Sequence, residues 1–135
     1  MSKPVILCVD DDISVLESIK TQLKSSFGNK YYYELAENAI DALEILKELI
    51  EKNIQVMVIV SDSLMPGMKG DELLVCIHEQ FPNIVKVMLI GQGQEAAIAR
   101  VQKEANLDSC LYKPWLQSEL IETISSGLKI TEYNE

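Results

Sequence analysis

Three short runs, Val5–Val9, Val56–Ser61 and Ile84–Ile90, are dense in Val, Ile and Leu and lack polar alternation. A strand with one face in water alternates apolar and polar residues, so unbroken runs point to strands covered on both faces. That condition is met by a parallel sheet with helices on either side. Two weaker strand candidates complete the set: the aromatic Tyr31–Leu35, placed near an edge, and Ser109–Tyr112, identified mainly from its position.

The intervening segments carry helical periodicity. Ile13, Leu16, Ile19, Leu23 and Phe27 recur at spacings of three and four, which puts them on one helix face. Ile40, Leu43, Leu46 and Ile50 repeat the pattern, with Ile45 and Leu49 widening the stripe. Leu74, Ile77 and Phe81 mark a third helix, Ala97–Ala105 a fourth and Leu116–Leu128 a fifth. Pro82 and Pro114 fall at element boundaries, where a missing N–H does least harm. Five strands alternating with five helices predict a doubly wound, flavodoxin-like (βα)5 domain of the α/β class, with parallel sheet order 2-1-3-4-5. In such folds the functional crevice lies beyond the carboxyl ends of the central strands.

At 135 residues the chain is expected to form one domain over residues 1–128, with 129–135 a C-terminal tail or the start of a linker. The formal net charge of −9 disfavours binding of nucleic acid or an anionic membrane surface. No apolar run approaches the roughly 20 residues of a bilayer span. The first strand begins too early to leave room for a signal peptide, so a cytoplasmic location is expected. Cys8, Cys76 and Cys110 show no metal-ligand spacing, and each lies in an apolar run, which reads as a buried free thiol.

The strand ends carry the chemistry. Strand one runs into Asp10, Asp11 and Asp12, strand three ends at Asp62, and strand five runs into Lys113. Strands one and three are neighbours in the expected order, so their terminal carboxylates converge. Packed carboxylates raise one another's pKa unless a cation neutralises them. Magnesium suits such a site, as a small hard ion that takes a few carboxylate oxygens and keeps several waters. A carboxylate can attack phosphorus to give an aspartyl phosphate, and phosphoryl transfer is driven mostly by positioning and charge neutralisation. Asp62, alone at its strand end, is the candidate nucleophile; Asp10 and Asp11 are the candidate metal ligands. Asp12 precedes an amphipathic helix and reads as its N-cap.

The segments Val5-Ile-Leu-Cys-Val-Asp-Asp-Asp12, Val60-Ser-Asp-Ser-Leu-Met-Pro-Gly-Met-Lys-Gly70 and Tyr112-Lys-Pro-Trp115 together resemble the receiver domains of bacterial two-component response regulators. The resemblance covers the chain from about Val5 to Leu128. It implies a phosphorelay switch, not an enzyme beyond self-catalysed phosphoryl transfer and autodephosphorylation, with Asp62 as phosphoacceptor. It also implies Mg2+ held by Asp10, Asp11, Asp62 and the backbone carbonyl of Leu64, with Lys113 on the phosphoryl group and a cis bond to Pro114. The implied partners are a histidine kinase or phosphotransfer domain and a downstream output protein or fused domain. Homodimers through the fourth and fifth helices are common in the family.

Two positions depart from the family pattern. Strand four ends in Ile90 where the family has Thr or Ser, and strand five carries Cys110 where Tyr or Phe is frequent. Isoleucine donates no hydrogen bond, and a bond to a charged group is typically worth about 1.5–3 kcal/mol. Gly91 keeps the small residue expected beside the phosphate. The expectation is a chain that binds magnesium and accepts a phosphoryl group but switches weakly, or through another surface.

Two rival readings follow from the same residues. A pseudo-receiver would keep the fold and act through constitutive contacts, as Ile90 and Cys110 suggest. A phosphohydrolase of the haloacid dehalogenase type is suggested by Asp10-x-Asp12, but Ile90 stands where a Thr or Ser is needed. His78 reads as a surface residue, Gly91-Gln-Gly93 as a flexible connection, and Trp115 as packing at a helix start.

Overall fold

The computed structural model describes residues 3–133. Five strands, β1 (Val5–Val9), β2 (Tyr32–Ala36), β3 (Val56–Asp62), β4 (Val85–Ile90) and β5 (Ser109–Tyr112), form one parallel sheet in the order β2-β1-β3-β4-β5. Helices α1 (Ile13–Phe27), α2 (Ala39–Glu51), α3 (Gly70–Gln80), α4 (Ala96–Ala105) and α5 (Gln117–Tyr133) connect and follow them. The expected class and strand order are both found. The last helix runs past Leu128, the expected end of the domain, through Tyr133.

Strand alternation sorts the core into two halves. Val5, Leu7, Val9, Ile59, Met88 and Ile90 face one side with α2, α3 and α4, where Leu46, Leu74 and Val101 meet them. Ile6, Cys8, Val58, Val60, Val87 and Leu89 face the other, against Leu16 and Ile19 of α1 and Leu120 and Ile124 of α5. Every residue of β1, β3 and β4 is buried, which is why their sequences show no polar stripe. The edge strand β2 is only partly covered, consistent with its aromatic, mixed sequence.

Within β4, one charged residue breaks the apolar rule. Lys86 is 1% exposed, and its Nζ donates to the Ile84 carbonyl at 2.9 Å and the Pro82 carbonyl at 3.4 Å. Burial lowers its pKa, opposed by the charge of Asp108, whose carboxylate also accepts from the Lys86 backbone N–H. This anchor lies at the amino-terminal edge of the sheet, away from the acidic strand ends. It was not anticipated: a lysine in an apolar run reads as a lapse in the pattern until its carbonyl partners are seen.

The cysteines divide as well. Cys8 is fully enclosed, and burial pushes its thiol up to about 12. Cys76 and Cys110 are half-buried, so the expectation of three buried thiols holds for one; α3 and the edge strand β5 leave the other two partly in solvent.

Candidate functional site

Alternation along the strands decides which side chains meet. Asp10 continues the side of β1 that carries Ile6 and Cys8, Asp62 the side of β3 that carries Val58 and Val60, and Lys113 the side of β5 that carries Leu111. All three therefore leave the sheet toward α1 and α5. Lys113 Nζ stands 3.0 Å from Asp10 Oδ2 and 3.2 Å from Asp62 Oδ1. Its backbone N–H donates to the Ile90 carbonyl at 2.8 Å, and its bond to Pro114 is cis, as the resemblance implied.

The turn after β1 holds the acidic cluster in shape. Asp10 is buried at 1% exposure, and its Oδ1 accepts the Asp12 backbone N–H at 2.9 Å. Asp12 caps α1, its Oδ1 accepting from both the backbone N–H and the hydroxyl of Ser14. Those hydrogen bonds hold the Asp12 carboxyl below the usual range. Asp12 thus caps the helix, as its sequence position predicted. Asp11 between them is exposed, and one oxygen each from Asp10, Asp11 and Asp62 lie within 4.8 Å of one another.

Electrostatics within the cluster are uneven. Burial raises the pKa of Asp62, the charge of Asp10 raises it further, and Lys113 and the Leu64 backbone N–H oppose them only in part. For Lys113, burial pulls the ammonium down, but its hydrogen bond to Asp10 and the charges of Asp62 and Asp10 outweigh that and hold it up. Three carboxylates meet one ammonium, so negative charge remains in excess. Hard, oxygen-only donors with surplus negative charge fit a small divalent cation such as magnesium.

The remaining predicted positions are spread over both sides of the sheet. Leu64 is exposed, and its backbone N–H reaches the Asp62 carboxylate. Ile90 faces the opposite side of the sheet from Asp62 and packs in the core with Val101 and Ala105 of α4; half-buried Cys110 packs against the same cluster. Gly91 is not part of a loose connection. Its N–H donates to Gln94 Oε1 at 2.9 Å, and the same oxygen accepts the hydroxyl of buried Ser63, the residue after Asp62. Ser63 and Gln94 were not anticipated, because the link joins residues far apart in sequence. Trp115 is half-buried at the start of α5, and its indole N–H donates to Gln22 Oε1 of α1 at 2.8 Å. His78 is half-buried on α3, not a free surface residue.

The response regulator receiver domain model matches residues 6–125. The chain belongs to that family. As a receiver domain it is 27% identical over 124 residues to the hydrogenase transcriptional regulatory protein HoxA of Cupriavidus necator, covering 92% of this chain and 24% of that protein. It is 27% identical to the transcriptional regulatory protein PrrA of Mycobacterium tuberculosis, covering 96% of this chain and 52% of the other. The receiver domain thus spans about a quarter to a half of these relatives. Among solved structures, the CheY-like receiver domain protein of Methanospirillum hungatei is 30% identical with a TM-score of 0.84, covering 99% of this chain and 100% of that one. The signal receiver domain of an HD domain-containing protein from Pseudomonas fluorescens superposes with a TM-score of 0.85 at 27% identity, covering 98% and 99%. Receiver domains are signalling modules of two-component systems, and the haloacid dehalogenase reading is set aside. Among the described residues no helix is long and apolar enough to cross a membrane.

Proposed function

We propose that this receiver domain is a phosphorylation switch in which Asp62 accepts a phosphoryl group from a phosphohistidine on a histidine kinase or phosphotransfer domain. The observation that carries this reading is the meeting of Asp10, Asp62 and Lys113 at 3.0–3.2 Å contacts on one side of the sheet rim. An Asp62 carboxylate oxygen attacks phosphorus, the P–N bond breaks, and the donor nitrogen keeps the electron pair. Lys113 supplies positive charge to the transferred group. Asp10, Asp11 and Asp62, with the Leu64 carbonyl, are the residues that would hold magnesium, which when bound neutralises charge between the carboxylates and the phosphoryl oxygens. The same site catalyses its own dephosphorylation by water. Gly91 supplies the small residue that the family keeps beside the phosphoryl group.

The output side of the switch is atypical. With Ile90 in the core and Cys110 in place of an aromatic ring, the phosphoryl group has no strand-four hydroxyl to capture. Activation is accordingly weak at α4, and the domain acts in the cytoplasm on an output protein or fused domain through another surface. These two residues also favour a second reading, a pseudo-receiver with constitutive partners.

Intact-mass spectrometry after incubation with Mg2+ and acetyl phosphate, with Asp62→Asn as control, separates the two. One phosphoryl adduct, absent from the control, supports the switch. No adduct, despite magnesium quenching of Trp115 fluorescence, favours the pseudo-receiver.

A further inference from the structure

The side chain of Gln94 ties the β4–α4 connection to the end of β3. Gln94 Oε1 accepts the Gly91 N–H at 2.9 Å and also the Ser63 hydroxyl. The amide lies flat on Gly91, so close that a Cβ there would stand 3.2–3.3 Å from its atoms. Ser63 is buried and immediately follows Asp62, and its backbone N–H is held by Leu89, the residue paired with Asp62 across the sheet. Gly91 is one residue beyond Ile90, whose carbonyl holds the Lys113 backbone. The two donors that Gln94 occupies therefore lie at the same ends of β3 and β4 as Asp62.

An oxygen that accepts from two donors does what a phosphoryl oxygen on Asp62 would ask of the same donors. Ile90 contributes no hydroxyl of its own, so Gly91 N–H and Ser63 Oγ join the Leu64 N–H as uncharged donors at the ends of β3 and β4. We propose that Gln94 is a positioning residue that competes with the phosphoryl group for these donors, and so slows phosphoryl uptake by Asp62. This rests on Asp62 being the phosphoacceptor. With an acyl phosphate as donor, an Asp62 oxygen bonds to phosphorus, the P–O bond to the acyl group breaks, and acetate leaves with the electron pair. Gln94 must release Gly91 and Ser63 before they reach the new oxygens.

The test compares the wild-type chain with Gln94→Met and Gln94→Ala in Mg2+ and acetyl phosphate. It follows the adduct by intact mass and the exchange of the Gly91 amide proton by NMR before any donor is added. Methionine keeps the length of the side chain and removes the acceptor. The expected result is uptake roughly tenfold faster in both variants, about what losing two modest hydrogen bonds predicts, with faster exchange at Gly91. Ser63→Ala, which leaves one of the two bonds, should fall between. Rates in Gln94→Met equal to wild type, or unchanged protection of Gly91, would overturn the proposal while leaving Asp62 as acceptor. Absence of an adduct in every variant would overturn the parent reading and this one with it.

Discussion

Gly70, the first residue of α3, lies against the backbone carbonyl of Asp62 so closely that a Cβ would stand 1.7 Å from the oxygen. Its N–H donates to the Ser63 carbonyl at 3.2 Å, closing the loop that leaves β3. A methyl group there must displace backbone, not a flexible side chain. Gly70→Ala is expected to cost about 3 kcal/mol, at the upper end for overpacking. Urea unfolding of the variant measures it; a change below about 0.5 kcal/mol, the scale of a neutral surface substitution, would show that the loop yields freely.

Asp62 should be a stability liability in its charged form. Its pKa is raised in the fold, first by burial and then by Asp10, so the folded chain binds its proton more tightly than the unfolded one. The resulting loss of stability is absent below the ordinary carboxylate range and complete above the raised value. Asp62→Asn should therefore melt several degrees higher than wild type at pH 7 without Mg2+. The gap should close below about pH 4, where both side chains are neutral. An equal or lower melting point at pH 7 would contradict the electrostatic account.

Lys113 works in the opposite sense. Its pKa is held up in the fold despite burial, because Asp10 and Asp62 outweigh that effect. Its contribution is complete below the ordinary lysine value and disappears as pH rises through the folded one. Lys113→Ala should lose about 1–3 kcal/mol at pH 7, the cost of leaving buried carboxylates without a partner. Millimolar Mg2+ should restore part of it. Chemical denaturation with and without the ion checks both halves, and a variant indifferent to magnesium would remove the acidic cluster as its binding site.

Phosphorylation should leave α4 largely unmoved. Arg100 ties that helix to buried Asp71 of α3 at 3.2 Å and pairs with Glu104 at 2.8 Å, while Ile90 packs against its Val101. Amide hydrogen exchange over Ala96–Glu104 is expected to change by less than about threefold on phosphorylation, within the worth of one weak contact. Changes should concentrate at residues 91–94 instead. Large deprotection of α4 would be the outcome that restores an ordinary switch.

Much of this architecture could be read from the chain because apolar runs end where the acids begin. Val5–Val9 stops at Asp10 and Val56–Val60 at Ser61-Asp62, so the same boundary marks the end of a buried strand and the site on its rim. Periodicity failed where packing and side-chain hydrogen bonds take over. The start of α3 precedes its apolar stripe, because Gly70 is chosen for its fit against Asp62 and not for its hydropathy. Lys86 satisfies its charge with carbonyls that no spacing rule locates. Gln94 reaches back to Ser63, 31 residues away, a pairing visible only once β3 and β4 are side by side.

Cys8 sits inside this sheet, in a strand flanked by β2 and β3, with no exposed surface of its own. Its thiol reacts only as thiolate, a form that burial holds off to about pH 12. A reagent that modifies it at neutral pH must wait for the sheet to come apart, whereas Cys76 and Cys110 can be reached by smaller openings. The protein thus carries its own clock for whole-domain opening, read by the slowest of its three alkylation rates.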